Sequence, residues 1–323
     1  MPKKSIQVSI LCMVYNHEKY LEKCLNSLVN QKTNFDYEIL VHDDCSTDNS
    51  KKIIEKYYKE YPKKIVPFYE KENQYSKGVK INKEILIPKM RGKYFCFCEG
   101  DDFFIDENKL QKQYDFLENN KDYVFCVHNA IIVNEEGKKI GDITPKKDGG
   151  DLTCEEFVSM GGGFVSTNSI FSYSSLAKNL PKYFDHMSMD YFWQIYLSSC
   201  GKTYCLKDYL SAYRLGSDGS WTERMEKDHK KFIAYKEKMI ETIKLFNEET
   251  NYKYDSLVKK RITEIEFAIL ELKRDYKKMY EEPYNEIRKK QSIRSKLRYF
   301  MYVHFKPVFK LLYRIFKGRD LDE

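Results

Sequence analysis

Two kinds of hydrophobic segment alternate along the first 130 residues, and this alternation constrains the fold more than any other feature of the sequence. One kind is short, apolar and rich in β-branched residues, which predicts buried strands. The other places apolar residues at helical spacing, which predicts amphipathic helices. The predicted strands are residues 7–14, 37–42, 64–69, 93–98 and 123–133, and the predicted helices are residues 18–29, 48–61, 80–91 and 106–119. This order predicts an α/β fold with a mainly parallel sheet and right-handed crossovers.

The middle of the sequence, residues 141–220, is less regular. Residues 164–171 predict a strand, and residues 190–199 predict an amphipathic helix. Two short strands are expected near Thr203 and Ala212. This part follows the alternating segments directly, so we assign it to the same domain.

The chain therefore divides into three regions. Residues 1–221 form the predicted α/β domain, and residues 222–290 predict a helical extension of long charged helices. Residues 291–323 form a basic tail in which aromatic and aliphatic side chains alternate with lysine and arginine. We expect the tail to be amphipathic and to be interrupted at Pro307.

Acidic residues follow two of the predicted strands, at the point where each strand ends. Asp43 and Asp44 come after the second strand, and Glu99, Asp101 and Asp102 come after the fourth. An acidic pair after one strand is as often a plain turn as a ligand site. Two such segments on one parallel sheet meet at the same edge, where α/β sheets bind ligands. Their hard oxygen atoms suit Mg²⁺ or Mn²⁺ bound jointly with a diphosphate.

These segments resemble the opening of family 2 glycosyltransferases. Residues 8–16, 38–48 and 94–102 carry the resemblance, and the last of them matches the metal-binding segment of that family in a Glu-Gly-Asp-Asp variant. The resemblance covers about residues 5–220. It implies the GT-A fold, which is a nucleotide-sugar version of the doubly wound sheet. It also implies a hexosyltransferase-like enzyme that uses Mn²⁺ or Mg²⁺ and a UDP-sugar donor.

The resemblance assigns roles on the donor side residue by residue. Asp44 is expected to accept a hydrogen bond from the nucleotide base, while Tyr15 and Asn16 belong to the nucleotide-sugar pocket. Asp101 is expected to contact the ribose or the donor sugar. Asp102 is expected to hold the divalent metal that bridges the two phosphates. For Asp43, by contrast, we favour a carboxylate that caps a turn.

An inverting mechanism needs a carboxylate that deprotonates the acceptor hydroxyl. In family members this base lies in an acidic pair at the start of a helix, and the matching position here is Asp190. Met189 replaces the usual preceding acid, so the match rests on Asp190 and the helix after it. Asp185 is the competing candidate. A helix N-cap is the alternative interpretation of Asp190, and the two roles can coexist.

Two further segments resemble parts of the family. Residues 161–169, with three glycines followed by Ser166-Thr167-Asn168-Ser169, resemble the strand on the acceptor side, although a plain turn is equally compatible with them. Residues 213–221 resemble the segment that closes over the donor, in which Arg214 is expected to clamp the diphosphate bidentately. Family members often have a histidine after this Tyr-Arg pair, whereas this sequence has Leu215 and Gly216.

Charge and cysteine content bear on location. The net charge is +7 and nine cysteines are scattered along the chain. We find no pattern of a secretory signal, so we expect reduced thiols in the cytoplasm. The tail, residues 291–323, suits peripheral contact with an anionic membrane at the inner face of the cell membrane. Its alternative is a helix packed on the catalytic domain with a solvated basic face. Nucleic acid is not expected as a partner, because the tail lacks a recognition motif.

The sequence thus predicts an inverting glycosyltransferase that transfers a sugar from a UDP-sugar to a glycan or lipid-linked acceptor in cell-surface polysaccharide synthesis. One alternative is a nucleotidyltransferase, which would release pyrophosphate instead of UDP. Another is a degenerate binding protein tethered to a membrane. The loss of the acid at Met189 favours this last alternative, and the intact Asp101-Asp102 pair disfavours it.

Overall fold

The computed structural model describes residues 5–216 and 228–308 of the 323-residue chain. A mixed β-sheet lies at the centre of the protein. Its strands are β1 (Ile6–Val14), β2 (Asp36–Asp43), β3 (Ile65–Tyr69), β4 (Tyr94–Phe97), β5 (Phe103–Phe104), β6 (Tyr123–Val133), β7 (Lys139–Ile143), β8 (Gly150–Leu152), β9 (Phe171–Tyr173) and β10 (Lys202–Arg214). Strands β1, β2, β3, β4 and β6 correspond to the strands predicted at residues 7–14, 37–42, 64–69, 93–98 and 123–133.

Helices precede, connect and follow these strands. Within the described residues the α-helices are α1 (Leu21–Val29), α2 (Ser50–Glu60), α3 (Lys109–Asn119), α4 (Cys154–Met160), α5 (Ser174–Lys178), α6 (Tyr183–His186), α7 (Asp190–Ser199), α8 (His229–Glu249), α9 (Asp255–Leu272), α10 (Tyr284–Lys290) and α11 (Ile293–His304). The helix expected over residues 80–91 is instead a π turn (Asn82–Leu86) followed by a 3-10 turn with Pro88 (Ile87–Lys89). Proline lacks the backbone N–H that a regular helix would need there.

The order of strands across the sheet is β3-β2-β1-β4-β9-β6-β10-β5, with β7 paired to β6 and β8 paired to β10. β1 pairs in parallel with β2 on one side and with β4 on the other. The short strand β9 runs antiparallel to both β4 and β6 and so joins two parallel groups. The predicted α/β class with a mainly parallel sheet is confirmed.

Both faces of the sheet are covered, because successive side chains of a strand point to opposite faces. In β1, Ile10 and Cys12 face one core, which is closed by α1, α2 and α3. Leu11 faces the other core, which contains Phe97 and Trp193 and is closed mainly by α4, α7, α8 and α9. A run of apolar residues without alternation is therefore what a strand buried on both faces requires.

The helical extension shares its core with the sheet domain. Ile243 and Phe246 on α8 and Val258 on α9 are buried in the same apolar cluster as Phe184 and Trp193. The rings of Tyr183 and Phe246 meet edge to face with their centroids 6.1 Å apart. The extension thus packs against α6 and α7, and Asp190 is the first residue of α7.

The last described helix, α11, packs through one side only. Tyr299 is fully buried against α9 and the turn at Lys278–Tyr280, in a small cluster with Phe267, Tyr276 and Met279. The hydroxyl of Tyr299 donates a hydrogen bond of 2.9 Å to Glu271 of α9. Residues 309–323 of the predicted tail lie outside the described residues. No helix in residues 5–216 and 228–308 is long and apolar enough to cross a bilayer.

Two local predictions in the middle region were wrong. The strand expected over residues 164–171 is a 3-10 turn (Thr167–Ser169) followed by the short strand β9. The Ser169 hydroxyl donates to the Ser166 carbonyl, and such local side-chain bonds favour turns over strands. The two strands expected near Thr203 and Ala212 are one strand, β10, whose register shifts between Leu206 and Ser211.

Candidate active site

The two acidic segments meet at the end of β1. The amide of Asp44, just after β2, donates to the carbonyl of Val14 at 3.0 Å. The amide of Gly100, after β4, donates to the carbonyl of Met13 at 2.9 Å. β2 and β4 flank β1. Asp44, which is predicted to bind the nucleotide base, and the predicted metal-binding segment therefore lie on either side of the end of β1.

Asp102 is a buried carboxylate whose two oxygen atoms are both hydrogen-bonded. The backbone amide of Arg214 donates to Oδ1 at 2.8 Å, and Nδ2 of Asn168 donates to Oδ2 at 2.9 Å. Burial raises the pKa of Asp102 well above its ordinary value, and the neighbouring charge of Asp101 raises it further, although these two hydrogen bonds act in the opposite direction. The orientation of this carboxylate is therefore set by the protein itself.

Glu99 is a functional candidate to which sequence reasoning gave no role of its own. Burial raises the pKa of its carboxyl well above the ordinary value, and the charges of Asp190 and Asp101 add to this rise. Glu99 is thus within electrostatic range of the predicted base as well as of Asp101 in its own segment. The signal in the sequence was its place at the head of the Glu-Gly-Asp-Asp segment, two positions before Asp101.

Asp190 opens α7, directly after Met189, which occupies the N-cap position without a capping side-chain bond. Asp190 as a whole residue is exposed. Protein groups nevertheless desolvate its carboxylate, and this raises the pKa of Asp190. The hydroxyl of Thr167 donates a hydrogen bond of 2.6 Å to Oδ2 of Asp190, which favours the ionised form. The alternative of an N-cap role for Asp190 is wrong, because it is the first helical residue.

Asp185 has different surroundings from Asp190. It lies exposed on α6 and forms an ion pair with Lys83. The hydrogen bond and charge of Lys83 lower the pKa of Asp185, so this carboxylate is a weaker base than an ordinary aspartate. Asp190 has a raised pKa and lies near Glu99, and it therefore fits the base better.

Two tyrosines border the carboxylates. Burial raises the pKa of Tyr213, and the charges of Asp102, Glu99, Asp190 and Asp101 raise it further, in that order. Tyr213 therefore lies within electrostatic range of every carboxylate in this group. We call Glu99, Asp101, Asp102 and Asp190 the acidic cluster.

Tyr235 comes from the helical extension, and sequence reasoning did not select it. Its hydroxyl donates to Sδ of Met189 at 2.9 Å, beside Asp190. Burial and then the charge of Asp190 raise the pKa of Tyr235. No local pattern in α8 indicates this contact, because it depends on how the helix packs on the sheet domain.

The residues predicted to bind the nucleotide base of the donor connect the loops after β1, β2 and β3. The carboxylate of Asp44 accepts backbone hydrogen bonds from Gln74 at 2.6 Å and Tyr75 at 3.0 Å. Oδ1 of Asn16, which has a positive φ of 56°, accepts from the amide of Thr47 at 2.8 Å. Tyr15 is half-buried beside it. Contact of these residues with a nucleotide stays a prediction.

Asp43 accepts a long backbone hydrogen bond of 3.4 Å from Ser46, as expected for a carboxylate that caps a turn. Burial raises its pKa. This arrangement orders the loop that also carries Asp44. It gives Asp43 a local structural role at the edge of the site.

Arg214 holds the backbone around the acidic cluster. Its Nε donates to the carbonyl of Asp101 at 2.9 Å, and its Nη1 donates to the carbonyls of Asn134 and Glu135 at 2.6 and 2.7 Å. The guanidinium also stacks over the ring of Tyr20, 4.3 Å from its centroid. The bidentate clamp on a diphosphate stays a prediction, and residues 217–221 of that segment lie outside the described residues.

The donor chemistry of the acidic cluster fits a hard divalent cation. Glu99, Asp101 and Asp102 offer carboxylate oxygen atoms, the ligand type that Mg²⁺ and Mn²⁺ prefer. Mutual repulsion contributes to the raised pKa of Glu99 and Asp102, and a cation would relieve it. As the side chains stand, no three His, Cys, Asp or Glu residues among the described ones are grouped closely enough to hold a metal.

Sequence comparison agrees with the geometry. The family model described as glycosyl transferase family 2 matches residues 9–176, more than half of the 323-residue chain. An uncharacterized protein of Mycobacterium tuberculosis is 29% identical over 219 residues, which is 66% of this chain and 60% of that protein. A poly(ribitol-phosphate) beta-glucosyltransferase of Bacillus spizizenii is 38% identical over 117 residues, 36% of this chain and 18% of that protein.

Two solved structures illustrate the same architecture. S. aureus TarS 1-349 in complex with UDP-GlcNAc has a TM-score of 0.57 and 16% identity, and the match covers 92% of this chain and 79% of TarS. Mannosyltransferase PcManGT from Pyrobaculum calidifontis, in complex with GDP-Man and Mn²⁺, has a TM-score of 0.52 and 10% identity over 88% of this chain and 83% of its own. At these identities the likeness establishes the fold, which is GT-A.

Proposed function

Because the chain belongs to glycosyl transferase family 2, we propose that it transfers a sugar from a UDP-sugar to a glycan or lipid-linked acceptor with inversion at the anomeric carbon. One observation carries the proposal: consecutive residues of one turn, Thr167 and Asn168, donate hydrogen bonds of 2.6 Å to Asp190 and 2.9 Å to Asp102, so the two carboxylates belong to one site. A base and a diphosphate site so placed can act on the two sides of one reacting centre. UDP as the nucleotide is supported by the TarS complex with UDP-GlcNAc.

On the donor side, we propose that Asp102 holds Mn²⁺ or Mg²⁺, with Asp101 contacting the ribose or the donor sugar. The Mn²⁺ in the PcManGT complex supports this part of the proposal. When bound, the ion supplies positive charge that offsets the charge of the departing diphosphate. Asp44, Tyr15 and Asn16 bind the uridine in this scheme.

On the acceptor side, Asp190 accepts the proton of the attacking hydroxyl. Its raised pKa makes it a better proton acceptor than an ordinary aspartate. Thr167 keeps one oxygen of Asp190 fixed through its 2.6 Å hydrogen bond. The other oxygen is then oriented for the acceptor hydroxyl.

The acceptor belongs to cell-surface polysaccharide synthesis in this proposal. Support comes from relatives that are named for such polymers, the poly(ribitol-phosphate) transferase and a putative teichuronic acid biosynthesis glycosyltransferase of Bacillus subtilis that is 30% identical over 110 residues. A hydroxyl-rich polymer offers the nucleophile that Asp190 would activate.

We also propose that the protein contacts an anionic membrane from the cytoplasmic side through residues 291–323. In α11, the side opposite Tyr299 exposes Ile293, Leu297 and Phe300, which are 83%, 59% and 45% accessible. These residues follow helical spacing, so they form one apolar stripe. Arg294 and Lys296 lie beside the stripe, and such a combination suits the interface of a negatively charged bilayer.

Donor turnover tests the proposal. UDP-sugars are screened by thermal shift with Mn²⁺ present, because a bound ligand raises the apparent stability. The donor that stabilises the protein is then assayed for UDP release. Asp102→Ala and Asp190→Ala should each abolish turnover while their melting curves stay cooperative, and Asp185→Ala should retain it. Release of pyrophosphate would indicate the nucleotidyltransferase, and binding without turnover would indicate the degenerate binding protein.

A further inference from the structure

One short turn holds both ends of the acidic cluster. Thr167 and Asn168 are consecutive residues of the 3-10 turn before β9. The Thr167 hydroxyl donates to Oδ2 of Asp190 at 2.6 Å, and the Asn168 amide donates to Oδ2 of Asp102 at 2.9 Å. Adjacent residues of a single turn therefore bind the predicted base and the predicted metal ligand, which are 88 positions apart in the numbering of the chain.

The side chain of Asn168 has a fixed orientation. Its Nδ2 also donates to the carbonyl of Ala212 at 2.9 Å, and its Oδ1 accepts hydrogen bonds from the hydroxyls of Ser166 and Ser211. The side chain is buried, and its two donors and two acceptor positions are all used. The partners of Oδ1 are hydroxyl donors and those of Nδ2 are acceptors, so this network determines which end of the amide faces Asp102.

The turn itself is tied to its surroundings. The Ser169 amide and hydroxyl both donate to the Ser166 carbonyl, at 2.9 and 2.6 Å. Nε2 of Gln113 on α3 donates to the Ser169 carbonyl at 2.8 Å. The turn is thus anchored to a helix on the far side of the sheet and to β10 through Asn168 and Ser211, so it cannot move without breaking buried hydrogen bonds.

We propose that Thr167 and Asn168 are positioning residues that set the distance and orientation between the donor-side carboxylate Asp102 and the base Asp190. This inference rests on the proposed function of these two aspartates. Asn168 acts on the binding of the nucleotide diphosphate, and Thr167 acts on the chemical step. Small displacements of catalytic groups reduce rates strongly, which makes a rigid common support for the two carboxylates useful.

The two roles predict different effects: loss of the Thr167 hydrogen bond should change kcat, and loss of the Asn168 hydrogen bond should change the Kd of UDP. Thr167→Val keeps the shape of the side chain and removes only the hydrogen bond to Asp190. It should lower kcat for UDP release from the active UDP-sugar about 10-fold and leave the Kd of UDP unchanged. Asn168→Asp keeps an acceptor for Ser166 and Ser211 but places an oxygen against Asp102. It should weaken UDP binding in the presence of Mn²⁺ about 10–100-fold, as loss of an outer partner of a metal ligand does.

Matched controls separate positioning from general destabilisation. Thr242 is a buried threonine whose hydroxyl donates to the carbonyl of Lys238, and Asn129 is a buried asparagine whose Nδ2 donates to the carbonyls of Lys147 and Lys207. Thr242→Val and Asn129→Asp should therefore disturb the core without altering kcat or the Kd of UDP in the folded fraction. If Asn168→Asp fails to fold, Ser211→Ala removes one donor to Asn168 and should weaken UDP binding about threefold.

The experiment measures Kd for UDP with Mn²⁺ by isothermal titration calorimetry and kcat by UDP release, with melting temperatures for every variant. The proposal is supported when Thr167→Val changes kcat alone and the Asn168 or Ser211 variant changes Kd. It is overturned when both variants behave like their controls. It is also overturned when each variant lowers kcat and weakens UDP binding at the same time. A wild-type protein that binds UDP but turns over no UDP-sugar would contradict the proposed function instead, and the inference with it.

Discussion

Gly100 packs so closely against His17 that a β-carbon at position 100 would lie 2.7 Å from Nδ1 of the imidazole. Contacts of this length do not occur for real side chains, so one of the two residues would have to move. The amide of Gly100 is also bonded to the end of β1. The glycine therefore lets the segment that carries Asp101 and Asp102 approach the loop after β1.

Replacing this glycine should disturb the site more than the fold. Gly100→Ala is expected to lower UDP-sugar turnover about 10–100-fold, because the contact with His17 would displace the segment that carries the carboxylates. The double variant Gly100→Ala with His17→Ala removes the clash and should recover part of the lost turnover. Steady-state kinetics of the single and double variants check this. Equal activity of the wild type and Gly100→Ala would show that the close approach is not needed.

The pH profile of turnover should report the raised pKa of Asp190. The base acts only when ionised, so kcat/KM falls as the pH drops through its pKa. Burial raises that pKa, so the acid limb should lie above the ordinary aspartate value of about 4. Thr167→Val removes a hydrogen bond to the ionised form and should move the limb to higher pH. Asp185→Asn should leave the limb in place, and a limb that moves with Asp185 would reverse the assignment.

Burial of Glu99, together with repulsion from Asp190 and Asp101, should make the ligand-free protein less stable than it could be. The folded-state pKa of Glu99 is raised, so the stability associated with its neutral form is present at low pH and is lost as the pH rises above the unfolded-state value of about 4.3. Glu99→Gln should therefore raise the melting temperature at pH 7, by about 1.5 °C for each kcal/mol of relieved burial and repulsion cost in a chain of 323 residues.

The gain from Glu99→Gln should disappear below about pH 4, where wild-type Glu99 is protonated in both states. Thermal unfolding at several pH values, without metal, measures the difference. The surface variant Glu60→Gln on α2 is a control for the loss of one negative charge. A variant that is equally less stable at every pH would argue that Glu99 has a packing role instead.

Membrane contact is best tested on the apolar stripe of α11. Leu297→Ser with Phe300→Ser should weaken binding to phosphatidylglycerol vesicles at least 10-fold, measured by co-sedimentation, while UDP-sugar turnover in solution stays unchanged. Ile140→Ser is the matched control, since Ile140 is 56% exposed on β7, in the sheet domain. Binding should fall with salt and should be weak to pure phosphatidylcholine. Identical binding of the stripe variant and the control would exclude this surface.

Point substitutions are preferable to deletion of residues 291–323 in this test. The deletion should also move the enzyme to the soluble fraction if the tail binds the membrane. However, it removes Tyr299, which is fully buried, and so exposes Phe267, Tyr276 and Met279 to water. A newly exposed apolar surface promotes association of its own. The deletion would therefore change two properties at once.

The features that could be predicted are those that depend on residues close to one another along the chain. Apolar runs placed β1, β2, β3, β4 and β6, because strands buried on both faces need uninterrupted apolar stretches. The acidic segments were located for the same reason, since the end of each run marks the edge of the sheet. Residues such as Asp44 and Asp102 could thus be selected before their surroundings were known.

Features that depend on distant pairing were not predictable. β9 has three residues, too few for a periodic signal, and it pairs with β4 and β6 from different parts of the chain. β10 was predicted as two short strands, and the charged residues Lys207 and Asp208 lie between them. In the structure the register shifts there, and Asp208 pairs with Lys112 at 3.0 Å. The contacts of Tyr235 with Met189 and of Asn168 with Asp102 likewise arise only from tertiary packing.

The common core of α8, α9 and the sheet domain has a practical consequence for any attempt to isolate a minimal enzyme. Cutting the chain after the last strand would leave Phe184, Trp193 and their neighbours without the side chains of Ile243, Phe246 and Val258 that now cover them. Such a fragment would precipitate or unfold before its chemistry could be measured. Exchanging the region after residue 228 between relatives would also exchange Tyr235, which contacts Met189 beside Asp190, so the surroundings of the proposed base would change in a chimera whose strands are untouched.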